Sequence, residues 1–462
     1  MRHPREYRNE EVVILGLARS GLAVAKVFHE FGAKVTVNDA KPRAESPEAE
    51  ELEALGVTVI CGGHPDDLIH SGVGLMVKNP GIKYTTAPIQ KALELGIEVV
   101  SEVEVASYLC KSPIIGITGS NGKTTTTLWV GRILESAGQQ PIVAGNIGRP
   151  LCDAAADSSP EQWMVVELSS FQLKATQQFH PRIACMLNLY ETHLDYHGDM
   201  KDYRDSKAML FANQTEADIA VLNWDDPACR DLADLIESSI IPFSRRETLR
   251  SGVFVEDGHI VYADHDGART TVLPLSKFHV PGKHNLENAL AAVAIAIAAQ
   301  VPIAQISAAL TDLPVVEHRQ EFVREKDGIR FYNDSKATNP AATVTALDAF
   351  QVPIVWIGGG QDRGTHYSEL IPWFEQKVKA VVLIGETRGK LEEAARRAGL
   401  QSVYVVDNDE DAADTMERAV QIAYRIAKAG DIVLFSPACA SWDMFKTFEE
   451  RGSMFKTSVH NL

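Results

Sequence analysis

The stretch from Ile114 to Thr127, I-I-G-I-T-G-S-N-G-K-T-T-T-T, constrains this chain more than any other. Its isoleucine-rich start reads as a buried strand, which breaks into a loop holding Gly116, Gly119 and Gly122 before a helix-forming segment begins. That combination is a phosphate cradle. Glycines let the backbone approach an anion closely, the helix start offers unpaired N–H groups, Lys123 brings a positive charge, and the Thr124 hydroxyl can reach a magnesium ion. The pattern is G-x-x-G-x-x-G-K-T, with Ile117 where G-x-x-x-x-G-K-[ST] wants its first glycine. The strand–loop–helix setting favours a nucleoside triphosphate over an ordinary glycine turn.

A chain of 462 residues is too long for one hydrophobic core, so about three domains are expected. The opening M-R-H-P-R-E-Y leads into no apolar run, and export is not expected. The longest apolar stretch, Ala289 to Ala299, is too short to span a bilayer and reads as a buried helix, so no membrane insertion is expected. Six cysteines are scattered without a C-x-x-C pair, which gives neither a zinc site nor a disulfide framework and fits a reducing cytoplasm. A net charge of −17 argues against a nucleic-acid partner, because phosphate backbones need a basic face. Anionic substrates must therefore be held by local Lys and Arg groups against the field of the whole molecule.

In chain order, V-V-I-L-G (Val12 to Gly16) reads as a strand that runs through L-A-R-S-G into an amphipathic helix ending near Gly32. A second strand, K-V-T-V-N-D, ends in Asp39. Glycines at the turn and an acidic residue about twenty positions on resemble a dinucleotide fingerprint, although Ala18 replaces the middle glycine. A tight strand–helix turn with no ligand is the alternative. Leu75 to Ile82 reads as another strand, ending in a Pro-Gly loop where open α/β sheets bind ligands.

The phosphate-loop unit follows, its first helix stopping at Gly138, and M-V-V-E then reads as a strand with Glu167 at its end. A carboxylate leaving a strand beside a phosphate loop can hold magnesium; the alternative is a solvated strand-end glutamate. Ile183 to Leu189 reads as a third strand of the same sheet, followed by His193, which is either a ligand or an ordinary hydrogen-bonded histidine. Lys207 falls in a helical pattern, where a solvated lysine is the default reading. Asn285 and Asn288, three apart, share one face of a helix start. Beyond residue 315 come Arg319, a candidate phosphate contact, the polar loop Phe331 to Pro340, a strand breaking into glycines before Arg363, and strands at Val381 to Gly385 and Ile432 to Ser441.

Alternating strands and helices make the fold α/β with three domains: Rossmann-like over 1–106, a central P-loop ATPase-type domain over 107–314, and Rossmann-like again over 315–462.

The motifs T-G-S-N-G-K-T, E-L-S-S-F-Q, E-H-R, N-D-S-K-A-T-N and S-P-A-C-A-S-W-D-M-F-K-T-F-E-E-R-G together resemble the Mur ligases of peptidoglycan synthesis, across almost the whole chain. The last four are most similar to the branch that adds D-glutamate to UDP-N-acetylmuramoyl-L-alanine, and no D-N-P-R segment of the diamino-acid-adding branch is present. The resemblance implies an ATP-dependent ligase in which a carboxylate attacks the γ-phosphate of ATP and an amine then displaces phosphate. It implies that Gly119, Ser120, Asn121, Gly122, Lys123, Thr124, Thr125, Asn285, Asn288, Arg319 and Asp334 serve ATP. Two magnesium ions would be held by Thr124, Glu167, His193 and Lys207, the lysine as a carbamate, which turns a cation into an anion.

For the UDP-sugar the resemblance implies Arg19, Ser20, Gly21, Asp39, Lys41, Asn79, Gly81, Asn146 and His193. For D-glutamate it implies Thr338, Arg363, Ser441, Trp442 and Phe448. Arg363 stands where some relatives have lysine, Trp442 where some have leucine, and Lys41 where some have arginine. The partners implied are small molecules only, with the chain acting as a monomer. Competing readings are a ligase for another amino acid, a nicotinamide-dependent oxidoreductase built on the first domain, and a nucleotide-binding scaffold; Ala18 argues against the second, and Glu167, His193 and Lys207 together against the third.

Overall fold

The computed structural model describes residues 1–314, 316–407 and 411–462; Val315, the first residue of the expected third domain, lies outside them. The chain forms two compact units, one of Met1–His279 with Leu286–Leu313 and one of Val280–Asn285 with Pro314–Leu462.

The first unit contains two sheets. Five parallel strands, β1 (Glu11–Leu15), β2 (Lys34–Asp39), β3 (Thr58–Cys61), β4 (Val73–Lys78) and β5 (Val99–Val100), lie in the order β3-β2-β1-β4-β5. Successive strands run outward to both sides of β1. The carboxyl ends of β1 and β4 therefore flank the crevice where such sheets take ligands.

The second sheet has nine strands: β6 (Ile114–Thr118), β7 (Ile142–Gly145), β8 (Met164–Glu167), β9 (Ile183–Met186), β10 (Ile219–Asn223), β11 (Ser239–Ser244), β12 (Gly252–Glu256), β13 (His259–Ala263) and β14 (Arg269–Pro274). Their order is β14-β13-β12-β11-β10-β9-β6-β8-β7. All five residues of β6 are buried, as a strand covered on both faces requires. The run is parallel from β7 through β12 and closes with two antiparallel pairs, β12–β13 and β13–β14. Ala289 to Ala296 are fully buried in the helix Lys283–Ala298, as the apolar run predicts.

In the second unit, β15 (Glu321–Lys326), β16 (Ile329–Asn333), β17 (Ile354–Gly358), β18 (Val378–Leu383), β19 (Val403–Val405) and β20 (Ile432–Phe435) form a sheet of order β15-β16-β20-β17-β18-β19. Only β15 is antiparallel to its neighbour. Trp356, Phe331 and Phe435 are fully buried in this sheet, each contributing about 1.5–3 kcal/mol or more of apolar transfer free energy. Among the described residues, no helix is long and apolar enough to cross a membrane.

Candidate active site

The phosphate loop joins β6 to the helix Lys123–Ser136. Gly122 caps that helix with φ +84°, a conformation that suits glycine, and an added Cβ would sit 2.3 Å from Asn288 Oδ1. The loop is held from the segment after β9: Asn121 N–H donates to Asn188 Oδ1 at 2.9 Å, Asn188 Nδ2 donates to the Asn121 carbonyl at 3.2 Å, and Ser120 N–H donates to the Asn188 carbonyl at 3.0 Å. Ser120 Oγ shares a 2.9 Å hydrogen bond with the hydroxyl of Tyr203, itself 1% exposed. Lys123 Nζ donates to the carbonyls of Gly119 (2.8 Å) and Ser120 (3.0 Å), so its charge lies over the loop. Thr124 is half-buried and Thr125 buried on the first turn. Gly116 departs from the sequence expectation: it belongs to β6, not the loop, where a Cβ would come within 2.7 Å of Leu210.

Glu167 ends β8, next to β6, with 1% exposure. Its Oε1 accepts from Asn146 Nδ2 at 2.8 Å, while Oε2 is buried with no hydrogen-bond partner among the described residues. A desolvated carboxylate oxygen left without a donor is suited to a cation.

Lys207 corrects the solvated-lysine expectation, being 1% exposed. Its Nζ donates to Thr118 Oγ1 at 3.1 Å and to the Gly119 carbonyl at 2.9 Å. Burial, and then the charge of Lys123, push its amine well below the usual lysine range.

His193 sits in left-handed backbone (φ +59°) as N-cap of the short helix Leu194–His197, and its ring packs edge-on against Phe171, centroids 5.0 Å apart. His197 is buried nearby, sharing hydrogen bonds with Ser170 Oγ (2.9 Å) and Asp202 (2.7 Å).

On the first sheet, Asp39 accepts from the N–H groups of Leu17 (2.6 Å) and Lys41 (2.8 Å), which ties the β1 turn to the end of β2. Gly21 packs onto that turn, for a Cβ would lie 2.1 Å from the Gly16 carbonyl oxygen. Asn79 Nδ2 donates weakly to Ser20 Oγ at 3.4 Å, bringing the β4 loop to the helix start, and Gly81 N–H reaches Asn79 Oδ1 at 3.4 Å. Arg19, Lys41, Gly81 and Asn146 are exposed. The first unit thus gathers two loop clusters: Ser20, Gly21, Asp39 and Asn79 at the first sheet, and the phosphate loop with Asn146, Glu167, Lys207 and Asn288 at the second.

In the second unit, Asn285 Nδ2 donates to the Pro281 carbonyl at 2.6 Å. Asp334 follows β16 and is buried; it accepts from Ser436 Oγ at 2.7 Å and Gln320 N–H at 3.2 Å. Burial pushes its carboxyl up to about 7, partly countered by Ser436 and by Arg319. Thr338 is exposed after β16, Ser441 buried after β20, and Phe448 opens the helix Phe448–His460. Arg363, exposed after β17, stacks its guanidinium over the exposed Trp442 ring, 4.5 Å from the centroid. Arg451, fully buried, knits these loops together. Its Nε donates to Ser335 Oγ (3.1 Å), and Nη2 to the carbonyls of Ser335 (2.8 Å) and Cys439 (3.0 Å). Backbone bonds from Gly359 N–H to Pro437 and from Gln361 N–H to Ala440, both 2.9 Å, add the β17 loop.

Sequence reading missed Asn188, Tyr203 and Arg451. Tyr203 had a usable signal: it lies four residues before Lys207, on the same helical face.

A glycine-rich strand–loop–helix turn on the parallel part of a mixed sheet, a buried carboxylate beside it and α/β sheets before and after define a nucleotide-using enzyme of modular α/β type. The chain belongs to the Mur ligase family. Domain profiles match at residues 10–101 (Mur ligase MurD-like, N-terminal domain), 117–296 (Mur ligase middle domain) and 318–439 (Mur ligase, glutamate ligase domain). The chain is 47% identical to the UDP-N-acetylmuramoylalanine--D-glutamate ligase of Geobacillus kaustophilus, over 100% of both chains. It is 44% identical to the protein of the same name from Listeria innocua, over 99% of this chain and 97% of that one. Among solved structures it resembles the UDP-N-acetylmuramate-alanine ligase MurC of Thermotoga maritima, with TM-score 0.59 and 19% identity over 98% of this chain and 99% of that one. A pseudomurein peptide ligase type C from Methanothermus fervidus is similar in fold, with TM-score 0.57 and 17% identity over 97% and 100% of the two chains.

Proposed function

We propose that this chain is an ATP-dependent acid–amino-acid ligase that adds D-glutamate to UDP-N-acetylmuramoyl-L-alanine in peptidoglycan precursor synthesis. The observation that carries this reading is full-length identity of 47% to a ligase named for those substrates. The first sheet takes the UDP-sugar, the phosphate loop takes ATP, and the loops after β16, β17 and β20 take D-glutamate. On this reading the enzyme works in the cytoplasm as a monomer on small molecules.

The alanyl carboxylate of the UDP-sugar attacks the γ-phosphorus, forming a C–O–P bond as the bond to ADP breaks. The amine of D-glutamate then adds to the acyl carbon, loses a proton, and phosphate leaves. Lys123 and the loop N–H groups carry the triphosphate charge, so catalysis is mainly positioning and charge neutralisation. Asn285, Asn288, Arg319 and Asp334 contact ATP, and Arg363 grips a D-glutamate carboxylate, with Thr338, Ser441, Trp442 and Phe448 around it.

The residues present fit magnesium, given the buried Glu167 Oε2 without a donor among the described residues. Thr124, Glu167, His193 and Lys207 as a carbamate would hold two ions, which when bound neutralise the phosphates. The lowered affinity of the Lys207 amine for its proton supports that modification, since only a neutral amine adds carbon dioxide.

Phosphate release from ATP and magnesium with UDP-N-acetylmuramoyl-L-alanine tests the proposal. Release is expected with D-glutamate and not with L-glutamate, L-alanine, L-lysine or buffer. Release with another amino acid would overturn the acceptor assignment, and release with none would overturn the reaction.

A further inference from the structure

We propose that Lys78 and Tyr196 form a strut between the Asn79–Ile82 loop of the first sheet and the short helix that follows His193, so that a UDP-sugar on the first sheet also orders the His193 segment. This rests on the reading of the first sheet as the UDP-sugar site.

Lys78 is the last residue of β4, yet it is 1% exposed. Its Nζ donates to the Pro80 carbonyl at 3.1 Å and to the Tyr196 hydroxyl at 3.2 Å. That hydroxyl in turn shares its proton between the carbonyls of Pro80 (3.1 Å) and Ile82 (3.2 Å). One amine and one phenol thus clamp both sides of the loop that carries Asn79 and Gly81. The amine also lies over the rings of Tyr84 (5.1 Å) and Tyr196 (5.9 Å).

At the far end, Tyr196 belongs to the helix Leu194–His197, capped by His193. Phe171 packs edge-on to Tyr196 with centroids 4.5 Å apart, edge-on to His193 at 5.0 Å, and stacks on His197 at 5.4 Å. His197 is fixed in turn by Ser170 and Asp202, and Asp202 pairs with Lys174 at 2.6 Å. The clamp and the His193 backbone are therefore parts of one packed aromatic cluster, and both lie within the first unit.

Burying an amine is costly, and a methionine would fill this volume without that cost. A lysine whose hydrogen bonds go to its own loop and to a distant hydroxyl returns geometry for that cost. Lys78 and Tyr196 are accordingly positioning residues, acting through Asn79 on one side and His193 on the other.

The test uses the full-length enzyme as wild type, Tyr196→Phe, Lys78→Met and Lys78→Arg, with steady-state kinetics and amide hydrogen exchange. In Tyr196→Phe and Lys78→Met the KM for UDP-N-acetylmuramoyl-L-alanine is expected to rise about tenfold while that for ATP changes less than about twofold, and Lys78→Arg, which keeps a donor, recovers part of the loss. Adding the UDP-sugar to wild type should slow exchange in both 79–86 and 193–198, but in Tyr196→Phe only in 79–86. A variant that still slows at 193–198, or whose KM for ATP rises as much as that for the UDP-sugar, overturns the strut. If the UDP-sugar changes no exchange in the wild-type first sheet, the substrate reading has failed instead. The strut is then decided on unliganded protein: faster exchange at 79–86 in Lys78→Met sustains it, and unchanged exchange overturns it.

Discussion

Lys207 Nζ donates to the carbonyl of Gly119 at 2.9 Å, so a helix far along the chain holds the phosphate loop by one buried amine. Burial favours its neutral form, the form that reacts with carbon dioxide. Enzyme equilibrated with carbon-13 bicarbonate is expected to show one protected carbamate resonance, absent from Lys207→Arg. Turnover in Lys207→Met should fall by on the order of a hundredfold or more, the scale of one lost electrostatic group at a reacting phosphate. A carbamate-free spectrum with full activity would sink the assignment.

Lys123→Ala should abolish ATP-dependent phosphate release and leave the melting temperature within a few degrees of wild type. The side chain is half-buried and folds back on carbonyls of its own loop, so its loss removes charge rather than core. Wild-type turnover in this variant would remove the phosphate-loop assignment.

Arg363→Ala is expected to raise the KM for D-glutamate by roughly ten- to a hundredfold, corresponding to the ~1.5–3 kcal/mol of a hydrogen bond to a charged group, with little change for ATP. Trp442→Leu should act in the same direction more weakly, by removing the ring on which the guanidinium lies. Equal effects on both substrates would place Arg363 outside the amino-acid site.

Asp334 gives a pH dependence of definite sign. Burial raises its carboxyl to about 7 in the folded chain, against about 3.9 when unfolded. Between those values the folded state binds more protons, so this contribution to stability is complete below about pH 4 and is lost as pH rises through about 7. Asp334→Asn cannot ionise. Its melting temperature relative to wild type should therefore climb from pH 5 to pH 8, and a flat difference would show that Asp334 is already ionised at pH 5.

Much of this architecture was legible because parallel sheets announce themselves. β2 covers the six residues of K-V-T-V-N-D, and Ala289 to Ala296, most of the long apolar run, are fully buried. The antiparallel extension β12–β14 was not singled out, since its short strands lie between ordinary polar turns and carry no motif. The placement of candidate residues was legible where strand ends fix it: the glycine loop lies between β6 and the helix Lys123–Ser136, and Glu167 ends the neighbouring β8. It was not legible where a side chain works through depth. Nothing local distinguishes Lys207, Lys78 or Arg451 from surface cations; only the packing of residues distant in sequence makes them buried.

Arg451 bonds the loops after β16 and β20 to each other, and backbone bonds join the β17 loop to the latter. Three loops so tied cannot be reshaped one at a time. A change at one of them is transmitted to its neighbours, so on the proposed reading of these loops a new acceptor preference would require coordinated substitutions in at least two of them. The same linkage makes single-step escape from a compound that binds these loops hard to reach by mutation.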